Sequence, residues 1–153
     1  MKPHPNLFPS LELQTNGEWN KDRQDNWKKE FLDNNNTQII ENGLYDDLFL
    51  TSDAMINDSV SFIAQYLPTL KPFLLCENTK GPGYNEWGQN IADSYYKAHN
   101  EEDVIKFIKK VLIQGNDYML NERKNALKRN IFIPNIGAGN YIKEYLKKSV
   151  QCE

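Results

Sequence analysis

Two short apolar runs, "AMIN" at 54–57 and "KPFLLC" at 71–76, are separated by the helical segment "SFIAQYLPTL" at 61–70. Strand, helix and strand in that order is the pattern of a parallel sheet with its crossover. Pro68 limits the helix near its end, and Pro72 sits at the start of the second run, where a strand tolerates a missing N–H. The pattern predicts an α/β chain: a Rossmann-like parallel sheet with helices on both faces.

The remaining segments fit around that unit. Trp19, Trp27, Phe31 and Leu32 recur at loosely helical spacing and predict a helix between Asn16 and Asp33. "NNN" at 34–36 ends it, and "TQII" at 37–40 reads as a further short strand. "LYDDLFL" at 44–50 reads as a short helix. Beyond the Gly-Pro-Gly loop "ENTKGPGYNE", residues 86–99 read as a helix. Residues 101–113 read as another, with acidic residues leading, lysines trailing and Val104, Ile105, Ile108, Val111 and Leu112 in one stripe. Two extra C-terminal helices follow, at 117–130 and 138–149.

Length and charge narrow the function classes. The 153 residues suit a single domain with a real core, read as residues 1–153. Eighteen basic against 21 acidic residues give a net charge of −3, which argues against a nucleic-acid partner. No apolar run reaches the roughly 20 residues of a membrane span, and "MKPHPNLFPS" lacks the pattern of a signal peptide. Cys76 and Cys152 belong to no metal-spacing motif, and Cys76 reads as a buried free thiol. A cytoplasmic setting is expected, with no metal and no cofactor. The prolines of "KPHPN" directly after Met1 read as a loop that should follow a strand, so the chain reads as a fragment lacking an N-terminal partner domain.

In an open parallel sheet, ligands bind at the rim where the strands end. That rim is expected to collect "KPHPN", "ENGLY", "NDSVS" and "ENTKGPGY". Ser59 and Ser61 open a helix whose first amides lack partners, a setting that attracts anions. Gln65 lies one turn deeper on the same face, within reach of sugar hydroxyls. Asp58 with Ser61 is equally the pattern of an ordinary helix cap, and spacing alone does not decide between the two. His4, between two prolines, is either an exposed loop residue or a donor to phosphate. Lys2 and Lys80 are solvated lysines unless the rim is real. Tyr84, Trp87, Tyr95 and Tyr96 read as core or half-buried packing.

Three blocks carry a resemblance: "KPHPN", "DLFLTSDAMINDSVSFIAQYLPTLKPFLL" and "YNEWGQNIADSYYKAHNEEDVIKFI". Together they resemble the C-terminal half of the CDP-glycerol:glycerophosphate glycerophosphotransferase family, which helps to make teichoic acids and capsular polymers. The resemblance runs from Lys2 to about Lys148 and implies the donor-binding half of a GT-B fold. It implies that His4, Ser52, Asp53, Ser59 and Ser61 surround the donor nucleotide, with Gln65 where the family usually has an acidic residue. Val60 stands where the family often has a second serine. Both departures bear on donor affinity or nucleotide identity, since a carboxylate accepts hydroxyl bonds more strongly than an amide.

The implied partners are CDP-glycerol or another nucleotide-activated donor, and a polymer acceptor held by the absent half. The family's catalytic base is expected in that half, so this chain alone should bind nucleotide weakly and not catalyse transfer. Membrane association is expected only for the full-length enzyme, at the inner membrane face. Two alternatives stand beside this: a non-catalytic interaction module of the same fold, and a glycosyltransferase using a UDP- or GDP-sugar.

Overall fold

The computed structural model describes residues 1–41, 45–58, 61–78, 81 and 83–150. The chain divides into two compact units, Met1–Asp47 and Leu48–Glu153.

The first unit is built on two helices, α1 (Leu7–Gln14) and α2 (Lys21–Leu32). Sequence patterning missed α1 because Pro9 falls inside it. Pro9 occupies the third helical position, where its absent N–H would have had no partner in any case. Asn16, at φ +51°, and Gly17, at φ +82°, turn the chain out of α1 in the left-handed region. The Gly17 amide reaches back to the Glu12 carbonyl at 2.8 Å, closing the helix end. Asn20 then caps α2 by accepting from the Arg23 amide at 3.0 Å.

The expected strand at 37–40 does not form. Ile40 donates to the Met1 carbonyl at 2.9 Å, and the Met1 amine donates to the Gln38 carbonyl. Pro3 and Pro5 have no N–H with which to extend that pairing into a ladder.

The second unit is α/β, with a three-stranded parallel sheet in the order β1 (Met55–Asn57), β2 (Phe73–Cys76), β3 (Tyr96–Ala98). Met55 pairs with Phe73, and Leu74 with Tyr96. Strand alternation sends Phe73 and Leu75 to one face and Leu74 to the other, all essentially buried. On the first face they meet Phe49 of α3 (Asp46–Thr51), Ile63 and Tyr66 of α4 (Phe62–Tyr66) and Ile91 of α5 (Glu86–Ala92). On the second, Leu74, Tyr96 and Ala98 meet Phe107 of α6 (Glu101–Phe107) and Val111 of the π-helical segment Ile108–Ile113. Helices therefore cover both faces, as the pattern predicts. Two C-terminal helices follow, α7 (Leu120–Asn130) and α8 (Ala138–Val150), and α8 buries no residue.

Two elements differ from expectation. The helix expected over 86–99 ends at Ala92, where the Ser94 hydroxyl folds back onto the Ile91 carbonyl at 2.6 Å. Tyr95 and Tyr96 are both buried but in opposite cores, an arrangement that strand alternation permits and a helix forbids. The helix expected over 61–70 is α for five residues and then 3-10 at Leu67–Thr69. The 3-10 turn accommodates Pro68, which could not donate within an α-helix. Leu70 follows in the left-handed region at φ +57°. The Arg123 guanidinium, buried in α7, donates to the Leu70 carbonyl at 3.0 Å.

Lys71 shows what the Lys-Pro pair does locally. Its ammonium donates to the carbonyls of Phe49, Leu50 and Ser52 at 3.2, 2.6 and 2.6 Å. It thereby closes the C-terminal end of α3, where a cation is favoured.

Candidate site at the strand ends

The three strands of the second unit stop side by side, and the residues just past them line a cleft of about 400 Å³. Asp58 follows β1, Glu77 and Asn78 follow β2, and His99 and Asn100 follow β3. The Glu77 amide donates to the Ala98 carbonyl at 3.0 Å, so pairing continues into the rim and fixes these loops against each other. Asn100 caps α6 through the Asp103 amide, and Asp103 in turn accepts from the His99 amide at 3.0 Å. This reciprocal cap holds the His99 backbone.

Glu77 is the hub. One carboxylate oxygen lies 3.0 Å from the Lys97 ammonium and the other 3.5 Å from His99 Nε2. Lys97 also reaches Asp93 at 3.1 Å. Burial alone would lower the Lys97 ammonium, but its bonds to Glu77 and Asp93 outweigh it and hold lysine above its usual range. Cys76, half-buried at the back of the cleft, is pushed up first by burial and then by the Asp58 carboxylate. A thiol held protonated is a poor nucleophile, so Cys76 is packing. The cleft offers carboxylate, amide and imidazole groups suited to hydroxyl and amino hydrogens. Among the described residues no group of three His, Cys, Asp or Glu is placed to hold a metal ion.

The structure distributes the sequence-predicted residues as follows. Ser61 stands just past β1, in helical conformation, and its side chain makes no capping bond to α4. Gln65 is exposed on α4. Ser52 and Asp53 precede β1 and therefore belong to the opposite, amino-terminal edge of the sheet from Asp58. The Ser52 hydroxyl is engaged internally, with Tyr66 Oη at 2.9 Å and the Phe49 carbonyl at 3.2 Å. His4 belongs to the first unit, where its Nδ1 accepts from the Asn6 amide at 3.1 Å and its carbonyl from Leu7 at 2.9 Å, opening α1. Ser59, with Lys80, lies outside the described residues.

Sequence reasoning placed the loop that opens with Glu77 on the rim without singling out its carboxylate, and missed His99 and Asn100. The available signal was "YYKAH", an alternating run closed by an asparagine cap and three acidic residues. Tyr95, Tyr96 and half-buried Tyr84 are packing residues as expected, whereas Trp87 is 48 % exposed, its indole donating to the Asn130 carbonyl at 3.2 Å.

The fold and cleft define a class: an α/β chain with a small parallel sheet whose strand ends form an open polar cleft. Compared with known proteins, the chain matches no family model, no curated protein and no solved structure. Among the described residues no helix is long and apolar enough to cross a membrane.

Proposed function

We propose that this chain is the donor-nucleotide-binding half of a transferase resembling the CDP-glycerol glycerophosphotransferases, with the architecture of a GT-B C-terminal half. The observation that carries the reading is the cleft at the ends of three parallel strands, the position at which open α/β sheets take nucleotides. Its size suits part of a nucleotide, since small-molecule sites run from about 300 to 1,000 Å³.

The chemistry of the cleft divides the ligand. Asp58 and Glu77 repel phosphate but accept hydrogen bonds from ribose hydroxyls and a base amino group. The diphosphate would then lie toward Ser61 and the first amides of α4. In the complete enzyme an acceptor hydroxyl would attack the β-phosphorus of CDP-glycerol, and CMP would leave. This half would supply electrostatic stabilisation, and the acceptor and base would come from the other half.

The acidic lining also favours a second reading, a non-catalytic module that docks a hydroxyl- or amine-bearing partner. Calorimetric titration with CDP, UDP, GDP and CDP-glycerol separates the two. Saturable heat with CDP-glycerol that weakens in both Ser61→Ala and Glu77→Gln supports donor binding. Flat heat for all four nucleotides overturns it, and preference for UDP or GDP moves the reading to a nucleotide-sugar transferase.

A further inference from the structure

A second cavity, of about 440 Å³, lies on the face of the sheet covered by α6 and the π-helical segment. Leu74, Tyr96, Phe107 and Val111 lie beneath it, themselves only 1–6 % exposed. Lys106 and Lys110, one turn apart, line it, and neither side chain has a hydrogen bond or ion pair among the described residues. Tyr118 also lines it, 65 % exposed, with its ring set edge-on to Tyr96 at 4.9 Å. Two further charges belong to the lining but are engaged elsewhere. Lys97 is paired with Glu77 and Asp93, and Asp103 accepts from the His99 amide.

The wall of this cavity is built rather than incidental. Arg123, fully buried, donates through Nη2 to Asp117 Oδ2. Tyr96 Oη donates to Asp117 Oδ1 at 2.8 Å and accepts from the Met119 amide at 3.2 Å. The Asn116 amide donates to the Lys110 carbonyl at 3.0 Å, tying the same loop to the π-helical segment. Residues 116–119 are thus pinned from three directions, and Tyr118 is presented to solvent on a fixed backbone. π-helical turns occur frequently at functional sites.

We propose that this cavity is a second binding site, independent of the strand-end cleft, for a small anion carried on a planar ring. Lys106 and Lys110 take the phosphate or carboxylate, and the exposed Tyr118 ring takes the planar ring.

The test is an amide-shift titration of the full chain by NMR with phenyl phosphate, set against inorganic phosphate and phenol. Saturable shifts are expected at Lys106, Lys110, Asn116 and Tyr118, with phenyl phosphate binding roughly tenfold or more tighter than either fragment. Lys106→Ala with Lys110→Ala should weaken binding roughly tenfold, as expected for two exposed charges. Tyr118→Phe should keep the affinity and Tyr118→Ala should lose it, with spectra elsewhere matching the native chain. Ser61→Ala should leave this binding unchanged, which separates it from the donor reading. Absent or scattered shifts, equal affinity for phosphate alone, or unchanged affinity in the lysine and Tyr118→Ala variants would each overturn the proposal.

Discussion

The two units use aromatic rings in contrasting ways. In Met1–Asp47, Trp27 meets Phe8 edge-on at 5.9 Å and stacks on Phe31 at 5.5 Å, but no described residue of the unit is buried. Lys28 over Phe8 and Arg23 over Trp19 close the rings from the outside. In Leu48–Glu153 the rings of Phe49, Tyr66, Phe73 and Tyr95 run in contact at 5.3, 5.7 and 4.4 Å, and all four are buried. The first arrangement joins two neighbouring helices. The second joins α3, α4, β2 and the start of β3, elements far apart in sequence. Rings half in water support local structure; rings out of water fix the relative positions of distant elements, which is what a rim of strand ends requires.

That contrast breaks most sharply at the buried charge. Asp117→Ala leaves the Arg123 guanidinium buried without its counter-charge and should cost about 3–5 kcal/mol in urea unfolding of the second unit. Arg123→Met should cost distinctly less, because it removes the charge and keeps the volume. Equal losses in both variants would mean that packing, not pairing, holds the loop.

Alkali should act next. Burial, with the Asp117 carboxylate beside it, pushes the Tyr96 phenol up to about 12, well above the ordinary tyrosine range. A folded pKa above the unfolded one means that the folded state holds its proton longer. The associated stability is present below about pH 10 and lost as pH rises through about 12. Buried Tyr66 and Tyr95 shift in the same direction, also chiefly through desolvation, so their losses add. Unfolding midpoints measured from pH 9 to 12 should fall, and a flat profile would contradict the burial of these rings.

The first unit should be the more fragile. Trp27→Ala removes both of its ring contacts and should cost roughly 1–2 kcal/mol of local stability, read by amide exchange in α1 and α2. Exchange in β2 should not change. Smallest of all, Asn20→Ala should cost about 1 kcal/mol and fray only the start of α2.

Much of this architecture was legible in the residues. The runs around Ile56 and Leu74 gave β1 and β2; β2 is apolar along its length because both its faces are buried, whereas β1 is an edge strand with Ile56 46 % exposed. The acidic start of α6 gave its first turn, which Asn100 caps. β3 was missed, because the short alternating run "YYKAH" directly continues a helical segment, and two adjoining tyrosines suit either structure until the opposite cores are known. The β3 side of the cleft was lost with it: the rim loops of Asp58 and Glu77 were expected, but Glu77 and His99 meet only when β3 ends beside β2. Ser52 and Asp58, close in sequence, fall at opposite edges because β1 stands between them, about 10 Å of extended chain.

The most direct test of the donor site is to map where CDP-glycerol perturbs the full chain. Amide shifts clustered at Asp58, Ser61, Glu77, Asn78 and His99, saturating together and reduced by Glu77→Gln, are the expected result. Perturbations confined to the cavity of Lys106, Lys110 and Tyr118, or none at all, would contradict a nucleotide site at the strand ends.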